Sequence, residues 1–241
     1  MELHVIFLSL SAAAFLPASG ALVWTGAGDG ISLYQEANWL DNNSNVPDTN
    51  TVNPNTIISA DTGGVIEILG NNGSPSAFGG GFSLGDNDLH VGGGKILGST
   101  GSSGINGIIG QNLIFSGGTI NVQYITNLNG VVSGSSILRY RGGGNPINNS
   151  LLDFVSTDSV LQFTNETFTA FQTEHESKVT YNGAALIFGA DPLVEEPGDN
   201  AVASAFNGAL GVQINFVDAV PEPGAALLAG LGVLLILRRR K

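Results

Sequence analysis

The residues whose order most restricts chemistry lie at the end of the chain. Val220-Pro221-Glu222-Pro223-Gly224 is followed by an apolar run from Ala225 to Leu237 and then by Arg238-Arg239-Arg240-Lys241. Pro221 and Pro223 lack amide donors and bias the backbone to an extended form, so this piece cannot join a helix and is open to a protease. Glu222, between them, is the group such an enzyme would recognise. As a helix, residues 224–237 would span about 21 Å at 1.5 Å per residue, short of the roughly 30 Å hydrocarbon core. Local thinning and snorkelling offset that mismatch, and Arg238, Arg239 and Arg240 stay cytoplasmic by the positive-inside rule. The preceding domain is then expected outside.

The other end agrees. An apolar run from Val5 to Phe15 is followed by Pro17-Ala18-Ser19-Gly20-Ala21. Ala18 and Gly20 are small residues where signal peptidase needs them, so cleavage is expected between Gly20 and Ala21. One feature departs from the pattern: Glu2 and His4 precede the run, with no Lys or Arg.

The three-part tail resembles the PEP-CTERM sorting signal, a likeness confined to the tail itself. The resemblance implies an exosortase, a membrane-embedded cysteine protease that cuts near Pro-Glu-Pro, and an association with bacteria that make exopolysaccharide and biofilms. The expected partners are the Sec machinery and signal peptidase, the exosortase, the membrane through residues 224–237, and exopolysaccharide. A simple tail anchor, with Pro-Glu-Pro only a linker, is the alternative.

Elsewhere the chemistry is sparse. There is no cysteine, which excludes a thiolate metal site and a cysteine nucleophile. Once the leader is removed, only His90 and His175 remain. Glu174-His175-Glu176 is not the H-E-x-x-H zinc pattern, and neither Ser83 nor Ser99 near His90 sits in a nucleophile elbow. Asp86 with Asp88, or Glu195 with Glu196, offers paired carboxylates, but Asp86-Asn87-Asp88 reads as a turn. Asp41-Asn42-Asn43-Ser44-Asn45 resembles only part of a calcium loop, and Gly26, Gly28 and Gly30 lack the surrounding βαβ unit of a nucleotide site. Arg139 and Arg141 flank Tyr140; in a strand the two arginines share one face, where they could hold an anionic sugar. No metal, cofactor or enzymatic activity is expected.

Composition says what must position these groups. Thirty-five glycines and only 12% charged residues, with abundant Asn, Ser and Thr, point to short strands joined by many turns. From Ala21 to Val220 there are eighteen carboxylates against four cations, a net charge of −14. Such a field repels nucleic acid, which is not an expected partner.

Apolar clusters of strand length occur at Val65–Leu69, Phe82–Leu84, Leu89–Val91, Lys95–Leu97, Leu113–Phe115 and Thr119–Ile125. They continue at Ile137–Tyr140, Leu151–Val155, Val160–Phe163, Ala185–Phe188 and Val212–Val217. Gly-Gly steps before Lys95 and Thr119 suit corners of a stacked coil. Glycines 98, 101, 104, 107 and 110 recur every third residue; without proline this run is expected to be a flexible or coil-forming loop, not collagen. Trp24-Thr25-Gly26 with Asn38-Trp39 and Pro47 is similar to the opening of repetitive exported β proteins, including autotransporter-type strand repeats, and predicts an aromatic cap on the first sheet edge.

A helix is predicted from Glu166 to Ser177, with Asn165 as its N-cap and Phe168 and Phe171 on one face. The expected fold is all-β, an irregular β-solenoid with a β-sandwich as alternative, with one short helix. A signal helix precedes it and a transmembrane helix follows. The expected divisions are 1–20 leader, 21–55 cap, 56–218 β-rich domain and 219–241 sorting signal. The function this implies is an exported surface or matrix structural protein; the alternative is a carbohydrate-binding surface module.

Overall fold

The computed structural model describes residues 22–28, 30, 36–41, 64–70, 80–84, 87–97, 105–141, 146–206 and 210–219. The leader with Ala18, Gly20 and Ala21, the tail from Val220 to Lys241, and the segment 42–63 lie outside the described residues. The signal helix and transmembrane helix expected from the sequence therefore fall outside them too.

The described part is all-β with one short helix. Its first strands are β1 Leu22–Trp24, β2 Trp39–Asp41, β3 Val65–Leu69, β4 Gly80–Ser83, β5 Asp88–Leu97 and β6 Ile105–Ile109. Then come β7 Asn112–Val122, β8 Tyr124–Thr126, β9 Asn129–Val132, β10 Ser136–Tyr140, β11 Ile147–Asn148, β12 Leu151–Phe154 and β13 Val160–Phe163. Helix α1 Phe168–Glu174 precedes β14 Val179–Tyr181, β15 Ala184–Ala185, β16 Ala201–Phe206 and β17 Gly211–Phe216.

Most pairings are parallel and join strands from successive passes of the chain, not chain neighbours. In a first column the inward residues align as Leu22, Ile66, Leu89, Leu113, Gly130, Leu152 and Val179. Two residues further along each strand, Ile68, Val91, Phe115, Val132, Phe154 and Tyr181 form a second inward line. A second column aligns Ile96, Ile120, Leu138, Leu161 and Ile214, the last on an antiparallel strand. The third column, β4-β6-β8-β11, is a separate four-stranded parallel sheet. Alternate residues point inward because the strand period is two, and these lines meet in one apolar core.

Strands β5 and β7 serve two columns at once. The first half of β7 pairs with β9 and its second half with β10. The bend falls at Gly117 and Gly118, where Gly118 has φ +102° and a Cβ would overlap the Gly94 carbonyl oxygen. Only glycine tolerates both that backbone and that approach. The Gly-Gly steps are thus corners, but Leu89–Val91 and Lys95–Leu97 belong to one bent strand rather than two.

Trp24 and Trp39 are register partners on the antiparallel β1-β2 pair, their rings edge to face at 5.0 Å. Asn38 holds the connection, its Oδ1 accepting from the Gly28 and Gly30 amides at 2.9 and 3.0 Å. At the far end β17 adds to β13 antiparallel and β16 follows it. Phe216 there stacks on Phe154 at 4.2 Å and on Tyr181 at 5.6 Å.

Three expectations need correction. The helix is shorter than Glu166–Ser177: it is capped by Thr167, whose side chain accepts from the Ala170 amide, while Ser177 lies in a separate 3₁₀ turn, Glu176–Lys178. Phe171 is fully buried, 5.5 Å from Phe163, as the helix face predicts. Ile105–Ile109 is strand β6 and not a loop; Ile108 is buried, and Gly107 gives Tyr124 room that a Cβ would take. Of Ala185–Phe188 only Ala185 is in a strand, and Ile187 instead donates its amide to Asn200 Oδ1 at 2.7 Å.

Candidate functional site

The groups singled out in the sequence reach three places. Tyr140 points inward, fully buried, and stacks on Phe163 at 5.2 Å. Arg139, on the opposite face of β10, donates Nε to Gln162 Oε1 at 2.8 Å and lies 5.1 Å over the Phe206 ring. Gln162 passes the ladder on to Gln213 at 2.6 Å, and Gln213 to Asn215 at 2.6 Å. Arg139 is thereby committed to neighbours on its own sheet face. Arg141 follows the strand, and partial burial pulls its guanidinium below its ordinary value.

Beneath α1 lies a buried polar cluster. His175 Nε2 is 3.2 Å from Glu166 Oε1, and the imidazole stacks on Phe163 at 5.3 Å. Tyr140 Oη, Glu166 Oε2 and His175 Nδ1 find no hydrogen-bond partner among the described residues. Burial, and secondarily the charge of Glu166, pushes the Tyr140 hydroxyl well above its ordinary value. Glu166 belongs to this cluster and precedes Thr167, the N-cap of the helix.

The third place is the outer face of the first column. Glu67, His90 and Ser116 come from three adjacent strands: His90 Nε2 is 3.3 Å from Ser116 Oγ, and its Nδ1 is 3.7 Å from Glu67 Oε1. Sequence reasoning missed this grouping, because Ser116 reaches His90 only through the register of β5 on β7. Of the expected turn Asp86-Asn87-Asp88, Asp86 lies outside the described residues; Asn87 donates its side chain to Leu84 O and accepts from the Gly64 amide, while Asp88 begins β5 and accepts from Asn112 at 2.7 Å. Glu196 Oε2 accepts the Ala190 amide, a loop bond.

Further along the same face, Asn112, Asn129 and Leu151 align in register, as do Ile114, Val131 and Asp153. Ile114, Val131 and Leu151 are 46%, 46% and 59% exposed. Among the described residues no three or more His, Cys, Asp or Glu side chains are grouped to hold a metal, and no helix is long and apolar enough to cross a membrane.

Neither a curated protein nor a solved structure matches this chain. The tail does match a family model. Residues 219–241 are a PEP-CTERM protein-sorting motif, the address read by an exosortase, which marks an exported protein held in the membrane until its tail is cut.

Proposed function

We propose that this chain is a structural protein of the cell surface or extracellular matrix, delivered by its tail and set among exopolysaccharide in a biofilm. The observation that carries the reading is the sorting motif at 219–241 joined to an acidic, glycine-rich β domain. The proposed route is Sec export, removal of the leader after Gly20, arrest through residues 224–237, and exosortase cleavage near Pro221-Glu222-Pro223. The basic residues Arg238, Arg239 and Arg240 hold the tail on the cytoplasmic side during this arrest.

The domain is read as an irregular β-solenoid. Parallel pairing between successive passes, glycine corners shared by β5 and β7, and separate caps at the two ends support that reading over a sandwich, whose sheets are antiparallel. Its role is presence and surface, not catalysis. The grouping closest to a hydrolytic triad, Ser116-His90-Glu67, lies along the outer side of the strands, and its 3.7 Å histidine-carboxylate separation exceeds hydrogen-bond reach.

Mass spectrometry of the mature C-terminus, in the host with and without its exosortase, tests this reading. The expected result is a terminus near Pro221 only when the exosortase is present. An intact Lys241 terminus in both strains leaves an ordinary tail anchor and removes the proposal.

A further inference from the structure

The first column buries its apolar residues inward, as any half-buried sheet must, yet it also carries apolar residues outward. Ile114, Val131 and Leu151 sit on three consecutive strands and are about half exposed. Single exposed aliphatic residues are ordinary; a contiguous set on one face marks a contact surface.

Two adjoining hollows lie over this set. One, of about 490 Å³, is lined by Ile114, Val131, Leu151 and Thr180 among others. Its neighbour, of about 560 Å³, is lined by Asn127, Asn149 and Ser150. Asn129, Leu151 and Lys178 border both, so they form one groove that crosses the strands.

The polar wall is built. Asn127 and Asn149 stand at left-handed corners, with φ 57° and 47°, which asparagine tolerates better than most residues. Asn149 Nδ2 donates to Asn127 Oδ1 at 2.7 Å. Each amide has two donor hydrogens and an acceptor oxygen, so this single bond leaves hydrogen-bonding capacity on both side chains. Asn129 adds a third amide, exposed on the adjacent strand.

We infer that this groove binds a neutral polysaccharide chain laid across the strands. Amides beside aliphatic side chains, Asn112 and Asn129 next to Ile114 and Val131, suit the hydroxyl rims and C–H faces that a pyranose presents together. The repeat along the groove is the strand spacing, about 4.8 Å. An extended hexose polymer advances by a comparable step, so successive sugars lie over successive strands. Charge selects the neutral polymer. Lys178, the one cation on the rim among the described residues, is faced by Glu174 and Glu166, and Asp153 borders the apolar hollow. With a net charge of −14 over the exported domain, a polyuronate is repelled.

The inference rests on the surface reading only for where the polymer is met; binding itself is tested on purified full-length chain in detergent, whatever becomes of its tail. Gel mobility is compared in gels containing a soluble neutral β-glucan, soluble chitin oligomers or polygalacturonate, and polymer-free gels. Retardation by a neutral polymer is expected, reduced at least tenfold in apparent affinity in the double variant Val131→Glu, Leu151→Glu with its melting temperature retained. Asn129→Ala is expected to weaken retardation in the same direction by a smaller factor. Absence of retardation by both neutral polymers, stronger retardation by polygalacturonate, or full retardation of the double variant overturns the inference. So does a wild-type dimer that the double variant converts to monomer without polymer, since the face would then belong to a second copy.

Discussion

The two long columns bury similar side chains on their inner sides and present opposite chemistry on their outer sides. Outside the second column Arg139, Gln162, Gln213 and Asn215 bond one another in sequence, and Phe206 lies against the arginine. Gln162 is left only 6% exposed and this row of four is bonded within itself, although Asn121 Oδ1, across from Arg139, finds no partner among the described residues. Outside the first column Ile114, Val131 and Leu151 face water with asparagines beside them. A face whose polar groups are already paired gains little from a ligand. A face with apolar area in water gains roughly 25 cal/mol for each Å² covered.

The largest effect expected from any substitution is common to both columns, because it acts inside. Phe154→Ala empties a site stacked on Phe216, and Phe171→Ala one packed on Phe163. Each is expected to cost about 3 to 5 kcal/mol by urea unfolding. An unchanged midpoint for either would separate that residue from the core and undo the common interior.

The outer faces should then diverge. Gln162→Ala removes acceptor and donor from the second column's ladder and is expected to cost about 1 to 3 kcal/mol, since its partners are left unmade in a nearly buried place. If the loss is no greater than for a solvent-facing residue, the ladder is ornament and the contrast between the columns fails.

Tyr140→Phe sharpens the interior side of the comparison. Its hydroxyl is buried without a partner among the described residues, so removing it is expected to raise stability by about 1 kcal/mol near neutral pH. The tyrosine's folded value is raised, so the native state holds the proton more tightly than the unfolded chain. Stability is therefore level below the unfolded value of about 10 and falls as pH rises beyond it. Unfolding midpoints between pH 8 and 11 should show that fall in the wild type and a shallower one in Tyr140→Phe. Parallel curves would deny the hydroxyl its buried setting.

The smallest effect is expected on the first column's outer face, where Val131→Ser should shift stability by less than about 0.5 kcal/mol. A loss of several times that would mean Val131 is a packing residue, and the face would lose its claim to a ligand.

How much of this was legible in the sequence depended on range. Val65–Leu69 and Val160–Phe163 have the bounds their apolar clusters predict, because a short apolar cluster is a local signal. The pairing of Trp24 with Trp39 brings the two tryptophan motifs together, their glycines held by one asparagine side chain. Strand β6 was hidden by glycines at every third position, which mask the period of two. Strand β9 was hidden by Gly130 standing on the inward line, where a Cβ would press on Leu152. The Ser116-His90 contact and the groove of Asn127, Asn149 and Leu151 depend on how passes of unequal length stack. The step from Leu113 to Gly130 is the shortest on the inward line, and that from Leu152 to Val179, which contains α1, is longer than the step from Gly130 to Leu152 before it. The sorting motif of the tail was legible, since it is contiguous and needs no fold.

Protease treatment of intact host cells, with the tail's fate followed in the same samples, tests most directly whether the domain travels outward under the tail's direction. In cells with the exosortase, the β domain should be digested or recovered in the medium, its tail already removed. In cells without it, full-length chain should stay with the inner membrane. A domain that is protected in the cytosol, or a tail that remains intact in both strains, would contradict the account.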